Sequence, residues 1–175
     1  YVSTSNYRDL KAAILGTYGS SAAIEADSIN EISNKLADSD IVGFSSMTGY
    51  ADLVRAVIQN LRARSKTPYL VWGGIHPIIH PEDAIVSGVD AICNGEGEFA
   101  FEEFLKLYKS GQDFTVVKNM WFNHDGKMIK NGFRPLMTNQ EMASLPLPDY
   151  AENELIYKKG RGFVPLGTAD YIQAN

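Results

Sequence analysis

Apolar and polar positions along this chain follow two rhythms, and the rhythm switches several times. Leu10, Ala13 and Ile14, with Tyr7 before them, recur at helical spacing, and Gly16 closes that pattern. An apolar run over 22–26 ends in Asp27-Ser28. Ser28 stands three residues before Glu31, the spacing of a capping box, and Ile29, Ile32 and Leu36 give the helix that follows its apolar side. Residues 40–46 (DIVGFSS) are short, apolar and β-branched, as a strand buried on both faces requires. From Asp52 to Arg64, Leu53, Val54, Val57, Ile58 and Leu61 share one helical face, while Arg55, Gln59, Arg62 and Arg64 lie mostly on the other. Residues 68–72 (PYLVW) predict a second buried strand ending at Gly73-Gly74. Residues 80–86 predict a short helix with Pro81 near its first turn, stopped by Gly88. Residues 89–93 (VDAIC) predict a third strand before Asn94-Gly95-Glu96-Gly97, and Phe99 to Tyr108 a helix ending near Gly111.

Strand and helix therefore alternate three times. That order implies an α/β fold of Rossmann-like or flavodoxin-like type, a parallel sheet with helices on both faces. After Gly111 the pattern changes. Two apolar runs, 116–122 and 127–129, flank Asn123-His124-Asp125-Gly126, and Asp-Gly between such runs signals a β-hairpin. Leu145-Pro146-Leu147-Pro148 reads as extended, because proline removes a donor and restricts the residue before it. Residues 158–175 are glycine-rich and weakly patterned. The expected organisation is an α/β domain over 1–112, a β-hairpin appended to it over 113–145, and a linker over 146–175.

Composition narrows the function classes. Of 175 residues, 45% are hydrophobic and 21% charged, an ordinary globular balance. The net charge of −5 argues against a nucleic-acid partner, which needs clustered Lys and Arg. No apolar run approaches the roughly 18 residues of a membrane span. The single cysteine, Cys93, can form no internal disulfide and builds no metal cluster alone, which suits a cytoplasmic protein. The polar start without an initiator Met suits a fragment. The sequence carries no P-loop, GxGxxG, HExxH or CxxC motif and no serine nucleophile elbow, so no catalytic constellation is expected in this chain.

In open α/β sheets, ligands lie outside the carboxyl ends of the strands. Three loops occupy that place. Ser45-Ser46-Met47-Thr48 offers small hydroxyl groups; equally, Ser46 or Thr48 could simply cap the next helix. Gly73-Gly74-Ile75-His76 brings backbone N–H groups near a ligand or makes a tight turn. Asn94-Gly95-Glu96-Gly97 precedes a helix N-terminus, where Glu96 and Glu98 would act as first-turn carboxylates. His76 and His80 would share a helix face only if Pro77 opened a helix, which is not expected.

Taken in order, the segments 40–48 (DIVGFSSMT), 70–77 (LVWGGIHP), 81–84 (PEDA) and 89–98 (VDAICNGEGE) resemble the amino-terminal cobalamin-binding domain of radical SAM enzymes. The likeness is greatest to the branch of the anaerobic magnesium-protoporphyrin monomethyl ester oxidative cyclase, and residues 145–150 (LPLPDY) are similar to the segment leading into the radical SAM barrel. The resemblance implies that the nucleotide tail of cobalamin lies between Ser45–Thr48 and Gly73-Gly74, bordered by Gly95-Glu96-Gly97. It implies a partner radical SAM domain, absent here, holding S-adenosylmethionine and an iron–sulfur cluster on a CxxxCxxC motif. The DxHxxG motif of the histidine-ligated cobalamin proteins is missing, which leaves His76 as the one histidine in a strand-end loop able to reach cobalt. The first strand of such a fold is hard to place, upstream or at Val2–Ser5. The competing reading is a cofactor-free docking domain of such an enzyme. A response-regulator-like domain fits poorly, since the strand ends carry Ser, Gly and Asn and no acidic cluster.

Overall fold

The structure is a computed structural model that describes residues 12–16, 26–146, 154–158 and 161–165. Its elements run β1 (Ala12–Gly16), α1 (Ala26–Leu36), β2 (Ile41–Ser45), a 3-10 turn (Thr48–Tyr50), α2 (Ala51–Arg62), β3 (Tyr69–Gly73), α3 (Ile75–Ile79), α4 (Pro81–Ile85), β4 (Ala91–Cys93), α5 (Glu98–Ser110), β5 (Met120–His124), β6 (Lys127–Lys130), α6 (Asn139–Ser144), β7 (Leu155–Lys158) and β8 (Gly162–Pro165). Strands β1 to β6 form one sheet in their sequence order, and β7 with β8 form a separate pair. β1 through β4 are mutually parallel; β5 and β6 join antiparallel.

Side-chain alternation along the strands divides the core into two layers. Val42, Phe44, Leu70, Trp72 and Ile92 face α1, α2 and α4, where Ile32, Leu36, Val54, Val57, Ile58, Leu61, Ala84 and Ile85 bury their side chains. Ile41, Val71, Ala91 and Cys93 face the other way, toward Ala100, Phe104 and Leu105 of α5. The expected α/β sheet with helices on both faces is what forms. The chain changes face once among the described residues, because β3 leaves toward α4 and β4 leaves toward α5. Arg62 and Asp90 brace this change: Asp90 accepts from Leu70 N at 2.6 Å and pairs with Arg62 at 2.7 Å, while Arg62 Nε donates to Gly88 O at 2.8 Å.

Expectation and structure meet in four segments. The helical spacing of Leu10, Ala13 and Ile14 is coincidental, since residues 12–16 form β1, parallel to β2 from Ala12↔Ile41 to Gly16↔Ser45. Five residues are too few for periodicity to separate strand from helix, and pairing decides. A strand beside β2 is thus found at 12–16, and Val2–Ser5 lie outside the described residues. Ser28 does not cap a helix: α1 begins at Ala26, and Ser28 is buried within it. Glu31 instead accepts from the Tyr157 hydroxyl at 2.8 Å. The expected hairpin forms within the same domain. It extends the main sheet through Cys93↔Met120, Ile92↔Trp121 and Ala91↔Phe122. Its turn is as expected, with Asp125 at φ 48° and Gly126 at φ 72°. Lastly, the weakly patterned tail contains the β7–β8 hairpin, whose Tyr157 and Phe163 pack against the α1–α2 layer. Most of residues 145–150 lie outside the described ones.

Candidate functional site

The carboxyl ends of β2, β3 and β4 lie side by side, so the three loops singled out by sequence come together at one edge of the sheet. Their roles differ. The first two are joined backbone to backbone. Ser46 N donates to Gly73 O at 3.3 Å, and His76 N donates to Ser46 O at 3.1 Å. Gly74 makes this approach feasible. It stands at φ +87°, and a Cβ there would lie 2.7 Å from Ser46 N and 2.9 Å from Ser46 O. The Ser46 side chain is turned inward, with its Oγ accepting from Trp72 Nε1 at 2.9 Å. Neither Ser46 nor Thr48 caps a helix: the N-cap positions of the 3-10 turn and of α2 are Met47 and Tyr50, without side-chain cap bonds.

What this leaves at the surface is a shelf. Ser45, Met47, Thr48, Gly49 and Ile75 are exposed, and Gly73 and Gly74 are half-buried between them. By strand alternation Gly43, Ser45 and Gly73 point to the α5 side, so β2 and β3 end on that face in residues with little or no side chain. Gly73 is informative because the fold does not demand it. A Cβ there would meet nothing closer than Cys93 Cβ at 3.7 Å and Phe44 O at 3.9 Å, ordinary contacts.

His76 is not on the shelf. Pro77 does open a helix after all: it sits in the first turn of α3, where a missing N–H costs nothing. His76 and His80 consequently fall on one side, with ring centroids 5.5 Å apart. The His76 ring is 2% exposed and lies against Trp72 at 4.9 Å. Its Nε2 is 3.1 Å from Asp83 Oδ2 on α4, without hydrogen-bond alignment, so both ring nitrogens lack a hydrogen-bond partner. Asp83 is itself held by Arg55 of α2. Burial, chiefly, and the Arg55 charge hold the His76 pKa below its ordinary value, against the pull of Asp83. The His76 side chain is therefore part of the core and not of the shelf surface.

The third loop is occupied by the chain itself. Asn119, a non-glycine residue at φ 64°, donates through Nδ2 to Glu96 O at 2.9 Å and accepts at Oδ1 from Arg134 N at 2.7 Å. Gly95 has no side chain because Asn119 fills the space: a Cβ would lie 2.7 Å from Asn119 Cγ. Asn94 is buried, its N–H bonded to Asn119 O at 2.9 Å. The Glu96 carboxylate accepts from Met137 N at 2.8 Å. Residues 131–137 thus form a strap across the end of β4, fixed also by Asn131 Nδ2 to Thr115 O at 2.7 Å and Val117 O at 2.9 Å. Beneath it remains a cavity of about 10 Å³ between Glu96, Phe99, Asn119 and Arg134, room for one water. Glu98 opens α5 as a first-turn acid behind the Gly97 N-cap, so Glu96 does not cap. Cys93 is buried, and burial pushes its thiol up to about 11, which makes it inert as a nucleophile. The strap escaped sequence reasoning because it has no periodicity. Its one local signal is the capping box Thr138-x-x-Glu141 of α6, a pattern visible in the sequence.

The family model of the B12 binding domain matches residues 10–105, more than half of the 175, from just before β1 into α5. The chain belongs to the B12-binding domain family. Over 135 residues it is 27% identical to the uncharacterized methyltransferase PH0819 of Pyrococcus horikoshii, covering 76% of this chain and 29% of that protein. Over 104 residues it is 24% identical to the anaerobic magnesium-protoporphyrin IX monomethyl ester cyclase of Synechocystis, covering 58% of this chain and 21% of that protein. The fold is shared with the cobalamin-dependent S-adenosylmethionine radical enzyme OxsB, solved with aqua-cobalamin and S-adenosylmethionine bound: TM-score 0.57, 16% identity, 75% of this chain and 23% of that one. The B12-binding domain described here spans under a third of these curated relatives. Cobalamin is its family's cofactor, and the shelf fits a large flat ligand: Gly73 leaves room that no internal contact uses, and exposed Met47 and Ile75 offer apolar cover. Among the described residues no helix is long and apolar enough to cross a membrane, and no group of His, Cys, Asp and Glu could hold a metal ion.

Proposed function

We propose that this chain is the cobalamin-holding module of a radical SAM enzyme, of methyltransferase-like or oxidative cyclase-like type. Its cofactor lies across the shelf made by Ser45, Met47, Thr48, Gly73, Gly74 and Ile75, and the loop Asn94–Gly97 forms the border of the site. The observation that supports this most is Gly73, a glycine at a strand end that packing inside the chain does not require. Bound cobalamin supplies cobalt-centred chemistry, while the residues of this chain bind and orient it. His76, buried against Asp83, would not be among the residues that hold the cofactor. The methyltransferase-like and cyclase-like readings rest on the two curated relatives, each matched over part of its length. S-adenosylmethionine and the iron–sulfur cluster belong to a partner radical SAM domain outside this chain, and the assembled enzyme works in the cytoplasm.

Titration of the chain with hydroxocobalamin tests the module. Saturable binding with a change in the visible spectrum is expected. Folded protein that leaves the spectrum unchanged at high micromolar cofactor would favour the cofactor-free docking domain instead.

A further inference from the structure

Trp72, Ser46 and His76 form a connected unit beneath the shelf. The Trp72 indole donates to Ser46 Oγ at 2.9 Å. The Ser46 carbonyl accepts from His76 N at 3.1 Å, and the His76 ring returns to lie 4.9 Å from the indole. All three residues are buried, at 0%, 4% and 2% exposure. The unit joins the two loops that carry the shelf, and through Asp83 and Arg55 it reaches α4 and α2. A buried indole N–H needs an acceptor, and here the acceptor is a loop hydroxyl on a neighbouring strand's end. The two loops consequently cannot shift relative to each other without breaking a buried hydrogen bond.

We infer that Trp72 and His76 are positioning residues for the cobalamin shelf, and that Ser46 serves the cofactor by accepting from Trp72 and not by touching it. This role rests on the cobalamin reading above: the Ser46 hydroxyl sets the spacing between Ser45 and Gly73. Thr48 and Ser45, both exposed, remain as the hydroxyl contacts on the first loop.

A double-mutant cycle on the 175-residue chain tests it, with methylcobalamin as the probe. Trp72→Phe keeps an aromatic ring and removes the donor; Ser46→Ala removes the acceptor. Each alone is expected to weaken binding about tenfold, and the double variant no further, because both abolish one interaction. Additive losses would overturn the inference, since a Ser46 that touches cofactor acts independently of Trp72. Amide spectra without cofactor supply the second readout. In Trp72→Phe and Ser46→Ala the Gly74 and His76 amide signals should move, and in His76→Phe those of Ser46 and Gly74, while those of the Asp125-Gly126 turn stay; unmoved signals at these positions would also overturn it. If Trp72→Phe fails to fold, Ser46→Ala and His76→Phe carry the spectral test. If the wild-type chain binds no methylcobalamin, the cobalamin reading falls, and the lock is judged on the amide signals alone.

Discussion

The loops after β3 and β4 look alike in sequence, each placing glycines after a short buried strand, yet the structure uses them in opposite ways. After β3, Gly74 lets two backbones touch, and Gly73 leaves open space at the surface. After β4, the space beside Gly95 is filled by Asn119, and the Glu96 carboxylate is engaged by the strap. A glycine at a strand end can thus serve the backbone, a neighbouring side chain or a ligand. What distinguishes them is what an added Cβ would meet: backbone at 2.7 Å beside Gly74, the Asn119 side chain at 2.7 Å beside Gly95, and nothing closer than 3.7 Å beside Gly73.

One substitution, glycine to alanine, separates the three uses. Gly74→Ala should cost most, on the order of 3 kcal/mol in denaturant unfolding, because a positive φ and a backbone clash act together. If unfolding is unchanged, the two loops are not in contact. Gly95→Ala should cost about 1–2 kcal/mol by displacing Asn119 from Glu96 O and Arg134 N. Faster amide exchange at Arg134 and Met137 would report the loosened strap. Gly73→Ala should leave stability within about 0.5 kcal/mol while weakening cobalamin binding about tenfold, or 1.4 kcal/mol. Full affinity in that variant would remove Gly73 from the site. The smallest effect concerns pH. The folded pKa of His76 lies below its ordinary 6.5, so on acidification the unfolded chain takes up the proton first. Its contribution is complete above about pH 6.5 and is lost as pH falls toward the folded value. The melting temperature of the wild type should therefore drop with acid across that window more steeply than that of His76→Phe.

Much of the fold was legible because burial imposes pattern. Residues 40–46 and 68–72 are apolar on successive positions since both faces of β2 and β3 are covered, and α2 shows its stripe because only one side is. Asp125-Gly126 announced its turn through the backbone angles it must adopt. Where pairing or tertiary contact decides, the sequence was mute or misleading. β1 is too short for its spacing to mean anything without β2 beside it. Pro77 looked like a barrier to a helix and occupies the one turn that tolerates it. His76 stood in a strand-end loop by position, and its side chain enters the core because Trp72 and Asp83 flank a buried slot. The strap is held by side-chain-to-backbone bonds from Asn119, Asn131 and Glu96, a kind of order that leaves no periodic trace.

Strand order in the sheet is also sequence order, from β1 to β6. Each strand's edge is completed by the segment synthesised next, and none has to wait for a distant partner or be inserted between two already paired. A chain arranged this way can gain structure progressively as it leaves the ribosome, each new strand joining the edge laid down by the one before it. The last edge, at β6, carries Lys127 and Lys130, charges that discourage a further strand from another molecule from adding to the growing sheet.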